Sequence, residues 1–191
     1  MMRQRLWPFD ILGLLCLLAS ASGFCGATDS VSEDEEGPVL LGPLSRDEVE
    51  AAAPEFVFEE VSASPDLEAT EALLSALEGA QITVFLGTWC SDSHRELGRL
   101  WRAFDELGVL NPDQIRYIGV DRDKREPASM LPTGGLRLVP TFVVQRGGGE
   151  TGRIVESAPN GIENDLLALL HGERTGVISA SEDLELEKDE H

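Results

Sequence analysis

The chain has 191 residues, enough for one ordinary domain with length to spare, and 42% of them are apolar, enough for a packed core. Its formal net charge is −20. That balance argues against a nucleic-acid binder and against binding to an anionic membrane surface, since both need clustered lysine and arginine.

At the N-terminus, Arg3 and Arg5 precede the apolar run "ILGLLCLL" at 11–18, and "ASA" at 19–21 and "CGA" at 25–27 offer small-residue cleavage sites. An export signal is therefore expected over residues 1–27. The apolar run is shorter than the ~18–20 residues a spanning helix needs. The expected product is exported, secreted or periplasmic, with a membrane tether through an uncleaved N-terminus as the alternative. No other membrane segment is expected. Of the three cysteines, Cys16 leaves with the signal, and Cys25 leaves or stays according to whether cleavage follows Ala27 or Ala21. The folded domain thus owns one thiol, Cys90. An unpaired thiol in an oxidising compartment calls for a reason.

Residues 28–53 are acidic with Gly and Pro interruptions and read as a linker. Within them "LSRDEVEAAA" can form a short helix capped by Ser45. The domain is expected over 54–173, followed by an acidic tail over 174–191. "EFVFEEV" at 55–61 reads as a first strand. A helix follows, with Ser64 as cap, Pro65 at its first position, Leu67, Leu74 and Leu77 near one face, and Gly79 as its stop. "QITVFLG" at 81–87 is short, apolar and β-branched, as in a central strand buried on both faces. From Cys90, residues Leu97, Leu100, Trp101, Phe104 and Leu107 recur at helical spacing up to Gly108. "IRYIGVD" at 115–121 is another strand, and 122–135 form a polar crossover rich in Pro and Gly. "LVPTFVVQR" and "TGRIVES" flank the turn "GGGE" as a hairpin. "NGIENDLLALLHG" at 160–172 is a closing amphipathic helix. The alternating first half implies parallel strands with helical crossovers, and the hairpin adds an antiparallel edge. The expected class is α/β: a mixed central sheet with helices on both faces.

"VFLGTWC" at 84–90 places Trp-Cys between a central strand and a long helix; "IRYIGVDRD" at 115–123 and "VPTF" at 139–142 follow in order. Together these residues, over roughly 55–172, resemble the thioredoxin superfamily, in particular exported bacterial members with a C-x-x-S site. The resemblance implies a thioredoxin fold with Cys90 as nucleophile and Ser93 beside it. It also implies a cis Pro140 facing the sulfur, a Val139 backbone offered to an extended substrate, and Trp89 as an apolar shoulder. Two positions depart from the thioredoxin pattern. Ser93 stands where the second cysteine would be, and Val84 where thioredoxins carry a buried aspartate.

The chemistry of the residues sets limits. A cysteine at a helix N-terminus meets unpaired N–H donors and the positive end of the dipole, which favour its thiolate. Asp92 opposes that by repulsion. His94, four residues after Cys90, could support the thiolate when protonated. Ser93 can donate a hydrogen bond or cap the helix, but it cannot displace a bound disulfide. Such a site exchanges mixed disulfides with protein or small-molecule thiols and depends on an external thiol reductant for release. The rival expectation is a redox-inactive binding module using the same groove. No cofactor and no metal is expected, since one cysteine and three scattered histidines do not make a ligand set. A monomer is expected.

Overall fold

Ile82, Val84 and Leu86 alternate with Phe85 along strand β2 (Ala80–Leu86), so this strand buries apolar side chains on both faces. The computed structural model of the chain describes residues 37–180. The expected export signal, residues 28–36 of the acidic segment that follows it, Cys16, Cys25 and the last eleven residues of the expected tail, 181–191, lie outside the described residues.

Six strands form one mixed sheet. β1 is Gly42–Leu44, β3 Ile115–Gly119, β4 Thr141–Arg146, β5 Gly149–Val155 and β6 Gly176–Ile178. Their order is β1-β3-β2-β4-β5-β6. β2 runs parallel to β3 and antiparallel to β4, and β4 and β5 form the expected hairpin. Its two-residue turn, Gly147–Gly148, has φ of 61° and 84°, the positive values that a tight hairpin of matching twist demands. β1 joins antiparallel at one edge and β6 parallel at the other.

Among the described residues the five helices are α1 (Arg46–Ala52), α2 (Glu55–Ser62), α3 (Leu67–Ala76), α4 (Ser91–Glu106) and α5 (Ile162–His171). Buried residues from all five join one apolar cluster with Ile82, Val84 and Leu86. The helices therefore cover one face of the sheet, where both faces were expected to carry them. Phe85, Ile118 and Val143 look the other way, and the irregular segment after β3 covers them through Val120, Leu131, Leu136 and Val139. Its helical content is a single 3-10 turn, Ala128–Met130. Pro127, Pro132, Gly134 and Gly135 explain why no longer helix forms there.

Three further expectations are corrected. The segment taken as a linker up to residue 53 already carries β1 and α1, with Val49 fully buried. Ser45 caps α1 as its sequence suggested: its hydroxyl accepts from the Glu48 amide while Glu48 accepts from the Ser45 amide. "EFVFEEV" is helix α2, not a strand. Pro54 stops α1 and starts α2, only Phe56 of the four apolar side chains turns fully inward, and the edge position beside β3 belongs to β1. The tail yields β6, which docks on β5. Smaller differences lie in α3, whose cap is Asp66, accepting from the Ala69 amide at 3.0 Å, and not Ser64. Its buried face is Ala69, Thr70, Leu73 and Leu77, while Leu67 is exposed.

α2 and α4 cross closely at Gly98. A Cβ at that position would lie 2.8 Å from the Glu60 amide nitrogen, so only glycine admits this crossing. Trp101, Tyr117 and Asn111 form a polar chain that runs from the core to the surface. The Trp101 indole donates to the Tyr117 hydroxyl at 2.8 Å, which donates to Asn111 Oδ1 at 2.9 Å. Burial pushes the Tyr117 phenol up to about 12.

Candidate functional site

β2 ends at Leu86, and a four-residue connection delivers Cys90 to the N-cap position of α4 with extended backbone, φ −101° and ψ 121°. The Cys90 amide donates to the Gly87 carbonyl at 3.0 Å, and the His94 amide donates to the Cys90 carbonyl at 3.0 Å. These bonds fix a tight entry into the helix. Cys90 is half-buried and is a free cysteine. Its Sγ–H donates to the Val139 carbonyl at 3.2 Å, forty-nine residues away in sequence. The Val139–Pro140 peptide bond is cis and leads directly into β4. The structure thus brings Cys90, Val139 and Pro140 together.

Trp89 packs with Cys90 against the second apolar cluster, beside Leu131, Leu136 and Val139. Its indole lies on Gly87: a Cβ there would be 2.7 Å from Trp89 Cε2. The indole N–H is buried and has no hydrogen-bond partner among the described residues. Over the ring lie two cations from the loop after β3, the Arg122 guanidinium 5.0 Å and Lys124 Nζ 6.0 Å from the centroid. Neither was singled out from the sequence. A contact between a helix entry and a loop some thirty residues later leaves no periodic trace.

Three of the residues expected to act on the thiol are directed elsewhere. Ser93 is fully buried, and its Oγ accepts from the Gly87 amide at 3.3 Å; no hydrogen bond joins it to Cys90 among the described residues. His94 Nε2 donates to the Thr88 carbonyl at 2.8 Å, and its ring packs edge-on against Phe56 at 4.5 Å. Asp92 is paired with Arg95 Nη1 at 2.6 Å, which offsets its charge beside the thiol. Thr88 was missed in the sequence reading. Its hydroxyl donates to the Pro38 carbonyl and accepts from the Leu40 amide, so it ties the incoming chain to the connection that bears Cys90.

One turn beyond Ser93, Glu96 lies buried beside Arg95, whose Nε is 3.1 Å away. Burial raises its carboxyl above the ordinary value, against the opposing charge of Arg95. On the next turn Arg99 donates through Nε to both oxygens of Glu163 at 3.0 Å, and this fully buried carboxylate also accepts the Asp66 amide. The pair joins the N-terminal ends of α3 and α5 to the middle of α4.

A groove of about 820 Å³ lies elsewhere, along the β1–β3 edge, lined by Leu44, Asp47, Thr83, Arg116 and Met130 among others; the thiol is not part of it. Among the described residues no group of three or more His, Cys, Asp or Glu is placed to hold a metal ion, and no helix is long and apolar enough to cross a membrane.

No protein-family model matches this chain, and no curated protein matches it. A crystal structure of a protein of unknown function from Pseudomonas aeruginosa aligns with it at a TM-score of 0.42 and 15% identity, covering 69% of this chain and 99% of that one. The likeness at that level carries no functional argument.

Proposed function

We propose that the chain is an exported, thioredoxin-like thiol protein that works through Cys90 alone, exchanging mixed disulfides with protein or small-molecule thiols. The observation that carries this reading is the 3.2 Å contact between Cys90 Sγ and the Val139 carbonyl, at the entry of a long helix and next to a cis proline. A half-buried cysteine at a helix N-terminus stands where a partner thiol or disulfide can approach it. The arrangement of β2, α4, β3, the β4–β5 hairpin and α5 supports a thioredoxin-like core, with β1, α1, α2 and β6 as additions. Exchange on one sulfur is balanced without a second cysteine. The Cys90 thiolate attacks one sulfur of a disulfide, the S–S bond breaks, and the other sulfur leaves as a thiolate. An external thiolate then attacks the mixed disulfide and frees Cys90.

The test is mixed-disulfide trapping with the full chain in cell-envelope extracts, with Cys90→Ala as control. Adducts that require Cys90 and dissolve with dithiothreitol are expected. Insulin reduction with dithiothreitol should stay far below that of a dithiol thioredoxin. If the folded chain forms no Cys90-dependent adduct and its thiol resists alkylation, the exchange reading fails, and a groove that binds extended peptide without covalent chemistry takes its place.

A further inference from the structure

We propose that the outer face of α2 is a docking site for a basic amphipathic helix of a partner protein. Phe56 fastens α2 to the core, where its ring packs on His94 and Trp101 of α4. Across the helix from it stand Val57, Phe58 and Val61, which are 42%, 71% and 70% exposed. At about 100° per residue these three share one stripe about 100° wide. Exposed apolar residues scattered singly are ordinary, but three on one stripe of an eight-residue helix make a patch. The close crossing at Gly98 pins α2 on α4, so the patch sits on a fixed support.

The rim of the patch decides what covers it. Glu55 and Glu59 flank the stripe on one side and Glu60 on the other. The helices around it do not offset these charges. α1, α2 and α4 together carry ten acids against four arginines and one histidine, so acids outnumber bases two to one even with the histidine counted as charged. The four arginines are already engaged: Arg46 with Glu50, Glu60 and Asp105, Arg95 with Asp92 and Glu96, Arg99 with Glu163, and Arg102 with Glu106. The charge of the whole chain, −20, has the same sign. A second copy would bring the same glutamates against this rim, and an anionic membrane is repelled for the same reason. A helix with apolar side chains at i, i+3 and i+4 and lysine or arginine beside them meets both the patch and its rim. Three side chains and a polar rim suit a small, transient contact. The site does not involve Cys90 and stands apart from the exchange reading.

The test reads fluorescence anisotropy of labelled synthetic peptides on the full chain. The probe is a peptide of leucine and lysine at helical spacing. Its controls are a scrambled peptide of the same composition and the same pattern with glutamate for lysine. The patterned lysine peptide should bind about tenfold more tightly than the scrambled one, and the glutamate peptide should not bind. Phe58→Ser/Val61→Ser should weaken the patterned peptide about tenfold, whereas Phe58→Leu/Val61→Leu, which keeps the patch apolar, should bind it as the parent does. Glu55→Gln/Glu59→Gln should weaken it about three- to tenfold and flatten its dependence on salt. Equal binding of the patterned and scrambled peptides, or no loss in the serine variant, reduces the effect to the general acidity of the chain and overturns the proposal. So does a parent chain that sediments as a dimer and is made monomeric by Phe58→Ser/Val61→Ser, since the face then belongs to a second copy. The peptides carry no thiol, so failure here leaves the exchange reading untouched.

Discussion

The Ser93 hydroxyl accepts the Gly87 amide at 3.3 Å, which locks the exit of β2 to the first turn of α4. The serine in the C-x-x-S motif thus serves the backbone that presents the sulfur. Ser93→Ala would leave the buried Gly87 N–H without a partner, at a cost of about 1–3 kcal/mol in urea unfolding. Alkylation of Cys90 by iodoacetamide should stay within about twofold of the parent, since the hydroxyl makes no hydrogen bond to the thiol. A much slower alkylation with unchanged stability would instead place the hydroxyl in the chemistry.

Arg99 supplies the countercharge for Glu163, whose side chain is wholly buried while that of Arg99 is 35% exposed. Removing the arginine strands a carboxylate among α3, α4 and α5. For a fully buried pair the cost of breaking it is about 3–5 kcal/mol, and the partial exposure of Arg99 places Arg99→Ala nearer about 2–3 kcal/mol. Arg99→Met with Glu163→Met should recover most of that loss, because no charge is then left unpaired. Denaturant unfolding of the single and double variants measures both, and a double variant no more stable than the single one would show that the pair is not what holds the three helices.

What could be read from the sequence followed from local pattern. The β2–α4 junction showed as an apolar run giving way to helical spacing at Cys90, and the β4–β5 hairpin showed as two β-branched runs around glycines. Where tertiary pairing decides, the pattern failed. β1 and β6 are three residues each and are strands only because β3 and β5 offer them free edges. α2 carries Val57, Phe58 and Val61 exposed at 42%, 70% or more, so its sequence lacks the buried stripe that would have marked it as a helix. At the site, Trp89, Cys90, Val139 and Pro140 lie together, brought there by the return of the chain into β4. Ser93, His94 and Asp92 were assigned to the thiol by proximity along the helix, but each side chain is drawn to a nearer partner: an amide, a carbonyl and a guanidinium. Arg122 and Lys124 escaped notice because a loop return placed them on Trp89.

Arg46 ties α1 to α2 and α4. It donates to both oxygens of Asp105 at 2.7 Å, to Glu60 at 2.8 Å and to Glu50, and it lies over the Trp101 ring at 5.1 Å. The hydrogen bonds from Arg46 hold the Asp105 carboxyl below its ordinary value of 3.8, against the desolvation that would raise it. A carboxyl depressed in the folded state adds stability above its unfolded value and loses that contribution as pH falls through the folded value. Asp105→Asn should therefore cost about 2 kcal/mol at neutral pH, with the difference from the parent shrinking in the acid range below 3.8. Unfolding free energies across that range test it, and a constant difference would remove the Arg46 pairing as the cause.

Glu96 carries the opposite sign. Its side chain is 9% exposed, and burial raises its carboxyl above the ordinary 4.5 even though Arg95 and the Ala158 amide lower it. A carboxyl raised in the folded state contributes its full stability below the unfolded value, and the contribution is lost as pH rises through the folded value. Glu96→Gln keeps an oxygen for the Ala158 amide and removes the buried charge. It also removes the ion pair with Arg95, but that side chain is 48% exposed, so screening leaves the pair worth little. Desolvation wins, and the glutamine variant should melt higher than the parent at neutral pH, with the gap closing below 4.5. Melting curves recorded from about pH 4 to about pH 7 decide it. A glutamine variant that is less stable at neutral pH would mean the Arg95 contact outweighs the burial of Glu96.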